Sequence, residues 1–211
     1  MNPTTVWVGG AETTIRPMGE DYLMADTEPK GITVELTCRA SAKAWPNPIY
    51  AVYYRKLTEA YGAAAILAWQ DTAVVGFLPF RPLGFASALP HCIHYVPGEA
   101  GVPDESELAA LQRATPVAFG DLDAKVLVVQ CASVKPELRG KGLGTAMANY
   151  LVDWAKERGW ERIQGSAFID GDWGWLPNVE FWEGVGFTRG AEEESTLEFG
   201  PSCGFHIDLA T

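Results

Sequence analysis

Between Lys125 and Arg158 the apolar positions change period, and the change marks a strand running into a helix. Val126, Leu127, Val128 and Val129 begin an apolar, β-branched run that continues through Gln130, Cys131, Ala132 and Ser133 to Val134. That is the pattern of a buried strand. Pro136 ends it, because proline has no N–H to give to a sheet ladder. The segment Arg139-Gly140-Lys141-Gly142-Leu143-Gly144 follows as a short glycine-punctuated loop. Beyond it Met147, Tyr150, Leu151 and Trp154 recur at spacings of three and four, which predicts an amphipathic helix. Gly159, just past Lys156 and Arg158, supplies the stop.

The rest of the chain reads more unevenly. Residues 1 to about 31 show no clear period beyond a short strand at Thr5 to Val8 and a turn-rich stretch at Asp26 to Gly31. Ile32 to Leu36 alternates as a strand. Asn47 offers a helix cap and Pro48 the first helical position, Ile49, Val52, Tyr53, Leu57, Ala60 and Tyr61 mark one apolar face, and Gly62 is the stop. Ala64 to Trp69 and Ala73 to Arg81 form an antiparallel hairpin through Gln70-Asp71-Thr72, with Pro79 and Pro82 marking an edge or an exit. Leu83 to Val102 is loop with a strand at Cys92 to Tyr95. Asp104 to Ala114 is a short helix with Asp104 and Glu107 as a capping box and Leu108 and Leu111 as its stripe. After the central unit come a strand at Arg162 to Phe168, a loop of acids and tryptophans from Asp170 to Pro177, and a helix at Asn178 to Val185. A strand at Phe187 to Ala191, an acidic turn at Glu192 to Glu194 and a last strand at Cys203 to Leu209 complete the chain. The order predicts an α/β (α+β) fold: a mixed, mostly antiparallel central sheet flanked by helices. The strands near 125–134 and 162–168 are parallel, joined by the helix from Gly144.

Composition narrows the partners. The 211 residues suit one domain, 1–211, with elaborations, and 47% apolar residues suffice for a sizeable core. A formal net charge of −11 and a pI near 4.7 exclude nucleic acid as the expected partner, since no basic stripe exists to neutralise phosphates. The acidic balance serves solubility and would also favour encounter with a cationic substrate. Cys38, Cys92, Cys131 and Cys203 are widely spaced, the N-terminus lacks the basic and apolar regions of a signal peptide, and no apolar run reaches membrane-spanning length. A reduced cytoplasmic enzyme with no membrane partner is the expectation.

Strand, glycine loop and helix N-terminus together form a device for holding phosphate: the first helical turn leaves N–H groups unpaired, and glycines let an anion approach the backbone. A P-loop would need Ser or Thr after its lysine, but Gly142 follows Lys141. A dinucleotide fingerprint would need a third glycine or alanine where Thr145 or Met147 stands. The remaining pattern is Arg-x-x-Gly-x-Gly, filled by Arg139, Gly142 and Gly144. With the run-in Ser133-Val134-Lys135-Pro136-Glu137-Leu138 and the later Glu180-Phe181-Trp182-Glu183-Gly184-Val185-Gly186-Phe187, it resembles the GCN5-related N-acetyltransferase (GNAT) superfamily over about Ala64 to Phe187. The stretch of about 83–123 reads as an insertion.

The resemblance implies an acetyl-CoA-dependent N-acetyltransferase acting on a primary amine of a small molecule or peptide. It implies that the strands near 125–134 and 162–168 splay apart to admit the pantetheine arm. The pyrophosphate of acetyl-CoA is expected on the backbone of Arg139, Gly140, Lys141, Gly142, Leu143, Gly144 and Thr145, and the arm beside Ala132, Ser133 and Val134. Lys141 either adds charge there or is a solvated loop residue. In the family an early helix flanks the acceptor cleft, which makes Tyr50, Tyr53 and Tyr54 candidates to touch substrate, with core packing the simpler role for Tyr53.

The catalytic positions depart from the family. Where a glutamate base often stands on the central strand, Val128 is apolar; Gln130, on the same side by period two, is the one candidate to position a water or the substrate. The usual tyrosine acid is replaced by Trp182, and the CoA-contacting asparagine falls on Trp175, with Asn178 three residues later. Asp170, Asp172 and Glu180 are alternative bases by location. Cys131 is read as a buried small hydrophobe rather than a nucleophile. The pairs Cys92/His94 and Cys203/His206 lack zinc-ligand spacing, so no metal is expected. A non-catalytic acyl-CoA-binding sensor on the same fold is the alternative, a nucleotide-binding protein of another fold is a third reading, and homodimerisation is left open.

Overall fold

A computed structural model describes residues 1–19, 48–83, 105–129, 131–170, 177–193 and 201–209. The expected strands at Ile32–Leu36 and Cys92–Tyr95, the Asn47 cap, Asp104 of the capping box, and Gln130, Asp172, Trp173 and Trp175 lie outside these residues. The chain opens with β1 (Thr4–Val8) and β2 (Ala11–Pro17), followed by α1 (Pro48–Tyr61), β3 (Ala65–Gln70), β4 (Ala73–Pro82) and α2 (Glu105–Arg113). Next come β5 (Val126–Val129), β6 (Ser133–Val134), α3 (Leu143–Glu157), β7 (Arg162–Phe168), α4 (Val179–Gly184), β8 (Thr188–Glu193) and β9 (Ser202–Asp208). Among the described residues the strands join in the order β1-β2-β3-β4-β5-β7-β9-β8, with β6 attached to β4. Every pairing is antiparallel except β5 with β7.

Aromatic contacts place the helices. Directly opposed residues in a ladder share a face of the sheet, so Phe80, Val129, Leu127, Ile163 and Phe205 occupy one side. Trp154 of α3 meets Phe80 at 5.0 Å and Trp182 of α4 stacks on Phe205, so α3 and α4 cover that face. Tyr54 of α1 meets Phe77, three residues before Phe80 and hence on the other face. The core-facing side of α3 buries Leu143, Met147, Tyr150, Leu151 and Trp154, the stripe its spacing predicts. Burying each large apolar side chain contributes about 1.5–3 kcal/mol, which outweighs the ~1 kcal/mol cost of Gly144 inside the helix.

The central strand differs from its expected form. It is two strands, not one run from 125 to 134. β5 pairs Phe80 with Val129, and β6 pairs Phe77 with Ser133. Two residues, Leu78 and Pro79, therefore separate the paired positions on β4, while three separate Val129 from Ser133. One extra residue is a β-bulge, and it reverses which face each later side chain takes. Only Val126–Val128 run parallel to β7, opposite Arg162–Gln164; β6 pairs with β4 alone, while β7 continues along β9. A gap consequently opens between β6 and the second half of β7.

Pro79 does not mark an edge, because β4 has partners on both sides. The Phe80 N–H bonds the Ala64 carbonyl, on the β3 side. Backbone groups alternate in direction, so the missing N–H of Pro79 faces the bulge, where the ladder is already interrupted. The first 19 residues hold a hairpin that the pattern did not announce beyond β1. Gly9 and Gly10, with φ of 61° and 85°, form the turn into β2. At the other end, Glu192 and Glu193 belong to β8 rather than to a turn; they pair with Cys203 and Ser202.

Candidate active site

The gap is where the loop predicted from sequence arrives. After β6, Pro136–Leu138 make a single 3-10 turn, and Arg139 folds back so that its Nε donates to the Val134 carbonyl at 3.2 Å. Gly140 and Gly142 then take φ of 68° and 85°, in the left-handed region that a side chain disfavours. No heavy atom stands within 4 Å of where a Cβ would be at either position. Their requirement is therefore conformational, and the space beside the backbone is left clear. Gly144 has a different reason. A Cβ there would come within 3.2 Å of Cε2 of Phe181, so its absence lets α4 close onto the start of α3.

Gly142 is the N-cap of α3, and no side chain caps it. The N–H groups of Leu143, Gly144 and Thr145 thus lack an intrahelical acceptor, whereas Ala146 N–H bonds the Gly142 carbonyl. On the strand side, Lys135 N–H bonds Val75 O of β4. By alternation the N–H and C=O of Val134 and Ala132 turn away from β4 into the gap.

These groups border a cavity of about 500 Å³. From the strand it takes Ala132, Ser133 and Val134, and from the loop and first helical turn Arg139, Gly140, Gly142, Gly144 and Thr145. Met147 and Ala148 of α3 and Asn178, Phe181 and Trp182 of the α4 segment close it. Eight of the ten residues expected to hold coenzyme A are brought together there. Lys141 is exposed and Leu143 is buried in the core, and neither side chain lines the cavity.

Asn178, three residues beyond the position at which the resemblance expects an asparagine, lines the cavity. It is the N-cap of α4, its Oδ1 accepting from Phe181 N–H at 3.1 Å, and that leaves its amide NH₂ for the cavity it lines. Asn directly before a helical aromatic segment was the available signal. Trp182 is fully buried, its ring parallel to that of Phe205 at 4.3 Å and edge-on to Phe187. Val128 sits in a cross-strand row with Arg81, Gln164 and His206, on the sheet face away from α3, with no carboxylate in that row. Asp170 and Glu180 are exposed, outside the cavity lining.

Other expected roles resolve as packing. Tyr53 and Tyr54 are buried in an edge-to-face pair at 5.5 Å, and Trp154 and Trp160 are core. Cys131 is buried, 1% exposed. Burial pushes the Cys203 thiol above its ordinary range, and His206, three residues on, lies on the opposite face of β9. Among the described residues no group of three or more His, Cys, Asp or Glu could hold a metal ion, and no helix is long and apolar enough to cross a membrane.

Comparison with known proteins agrees with the geometry. Among curated proteins, none matches the chain. Solved structures share its fold at low identity. yncA from Salmonella typhimurium, solved with its cofactor acetyl-CoA, has a TM-score of 0.57 at 15% identity, covering 94% of each chain. The GNAT domain of S. lividans PAT has a TM-score of 0.54 at 13% identity, covering 98% of this chain and 97% of that one. The ribosomal-protein-S18-alanine N-acetyltransferase from Escherichia coli has a TM-score of 0.52 at 12% identity, covering 94% and 95%. The sequence profile of the Acetyltransferase (GNAT) family matches residues 32–170, about two thirds of the chain and including the loop that borders the cavity; the protein belongs to the GNAT acetyltransferase family.

Proposed function

We propose that the protein is an acetyl-CoA-dependent N-acetyltransferase that acetylates a primary amine of a small molecule or peptide. The observation that carries this reading is the uncapped start of α3, with its left-handed glycines, opening onto a cavity walled by β6 on one side and by Asn178, Phe181 and Trp182 on the other. The donor's pyrophosphate would lie on the backbone of Arg139–Thr145. A helix-terminus charge interaction alone contributes about 0.3–1 kcal/mol at an exposed site, so several N–H groups must act together. The arm's amides would pair with the outward N–H and C=O of Ala132 and the N–H of Val134 as an added strand does, and the amide NH₂ of Asn178 can meet a carbonyl from the other wall.

In the reaction the neutral amine nitrogen forms a bond to the acyl carbon, the carbon–sulfur bond breaks, and its electron pair leaves with the thiolate. The amine nitrogen loses one proton in this step, and the thiolate takes one up. With Val128 in place of an acid, that proton leaves through water, with Gln130 the candidate to position the water or the amine. Catalysis then rests mainly on orientation, whose effect reaches ~7–11 kcal/mol in well-aligned systems. The acidic net charge of −11 favours a cationic acceptor, and the wide spacing of the four cysteines suits a reducing cytoplasm. A single domain over 1–211 carrying an insertion at about 83–123 belongs to the same reading.

Val128 and Trp182 also favour a second reading, a non-catalytic acyl-CoA sensor. Both readings require the donor to bind, which calorimetry with acetyl-CoA tests. The expected result is saturable 1:1 binding that is lost in Gly142→Glu, where a left-handed glycine acquires a side chain and a negative charge. No heat of binding in the wild type overturns both readings.

A further inference from the structure

The two faces of the sheet differ where β5, β7 and β9 run side by side. On the side of α3 and α4, Leu127, Val129, Ile163, Ala167 and Phe205 are buried. On the other side Arg81, Val128, Gln164 and His206 stand in one row across four strands, each half-buried. Leu83 and Ser166, two positions along from Arg81 and Gln164 on that face, are exposed, as is Thr188, which pairs with His206. The row therefore lies in an open, polar stretch of sheet surface.

Its charge is one-sided. Arg81 is the row's one fixed charge. Among the described residues its guanidinium has no carboxylate at ion-pair distance, and its one hydrogen bond runs from an Nη to the Pro82 carbonyl at 3.5 Å, the outer limit of such a bond. The next row brings an acid, Asp208, but Arg162 already holds it at 2.6 Å. Gln164 adds an amide NH₂ and His206 a ring N–H. A guanidinium with N–H groups to spare, an amide nearby and no acid in its row suits an anion.

The row also stands where the reaction must occur. Val128 and Gln164 are the last residues to pair in parallel before β6 swings to β4. An arm laid along β6 from the loop at Arg139–Thr145 runs back past Val134 and Ala132 toward that fork, so its acyl end arrives beside the row. On the side of α4 the ring of Phe205 lies over Gly165, where a Cβ would come within 2.5 Å of it. The amine must then come from the open side, across Arg81, Val128 and Gln164.

We propose that the acceptor is a small primary amine that also bears an anionic group, carboxylate or phosphate, and that Arg81 with Gln164 holds this group while the amine reaches the thioester. The assignment rests on the acetyltransferase reading and narrows it. The net charge of −11 does not oppose it. Charges beyond the Debye length, about 8 Å at physiological ionic strength, are largely screened, so the anion meets Arg81 while the ammonium end suits the acidic chain.

The test measures thiol release from acetyl-CoA with matched acceptors: amino acids of increasing length against their amides, and phosphoethanolamine against ethanolamine. The anionic members should have the higher kcat/KM, and the two arms tell carboxylate from phosphate. Arg81→Gln should lower kcat/KM for the preferred anionic amine about ten- to a hundredfold, the range of a hydrogen bond to a charged group. The loss should fall on the amine's KM, with the calorimetric affinity for acetyl-CoA unchanged. Arg81→Lys, which keeps the charge without the fork, should recover part of it. Neutral members used as well as anionic ones, or an Arg81→Gln loss shared equally by both or extending to acetyl-CoA affinity, overturns the assignment. If the wild type turns over only amines outside these pairs, the substrate class falls while acetyl transfer stands. If it binds acetyl-CoA and turns over none, the transfer reading falls first and takes the substrate class with it.

Discussion

Gly140, Gly142 and Gly144 look alike in the sequence, and they answer to different constraints. The first two need left-handed backbone, whereas the third needs room for Phe181. The motif's spacing made all three legible as a phosphate loop. It could not separate them, because the partner of Gly144 lies 37 positions later, on α4. Trp182 shows the converse: its identity was readable as a departure, but its orphaned Nε1 exists only once β9 brings Phe205 beneath it. Tyr61 supports a prediction at this scale. Its hydroxyl donates to the Val117 carbonyl at 2.6 Å, and burial raises its pKa above the ordinary value of about 10. The neutral phenol is favoured in the folded state, so this contribution is fully present below about pH 10 and is lost as pH rises from the unfolded value through the higher folded one. Tyr61→Phe should cost about 1 kcal/mol at pH 8 and show a smaller further loss at pH 10.5 than the wild type. Urea unfolding midpoints at the two pH values measure both effects, and equal alkaline losses would contradict the assignment.

At the scale of elements, the strand–loop–helix unit and the hairpin of β3 and β4 were legible because their periodicity and their stop residues agree. The division of the central strand into β5 and β6 was not. An extra residue inside an apolar run leaves no trace in the hydrophobic pattern, and the bulge becomes visible only as a shift in pairing with β4. β2 was missed because only one of its two buried positions is apolar, Ile15 with Thr13, so its alternation with Glu12 and Arg16 carries little hydrophobic signal. The short helix α4 carries Phe181 and Trp182 to the cavity, and one cap holds its start. Asn178→Ala should cost about 0.5–2 kcal/mol, lowering the melting temperature by about 2–4 °C per kcal/mol in a chain of this size. It should also weaken acetyl-CoA, since the same side chain lines the cavity. Thermal melts and calorimetry check the two effects, and an unchanged melting temperature would show that the cap does not hold α4.

For the whole molecule, the placement of the site follows from topology. A parallel pair, β5 with β7, sits inside an otherwise antiparallel sheet, and it pairs only over Val126–Val128 before the bulge sends β6 toward β4. The opening this leaves lies beside the N-terminus of the helix that connects the two strands, so the glycine loop and the gap are one construction. The mixed sheet was legible because the order of predicted elements requires it. The acceptor side was less so: Gln130 lies outside the described residues, and the row of Arg81, Val128, Gln164 and His206 assembles four strands that no local pattern links. Acetyl transfer to an amine is read out by thiol release from acetyl-CoA across a panel of small primary amines and peptides. Release should be sustained over multiple turnovers and exceed the amine-free rate with at least one acceptor, and Gly142→Glu should abolish it. Stoichiometric binding of acetyl-CoA with no release above the amine-free rate for any acceptor would contradict acetyl transfer and leave a sensor in its place.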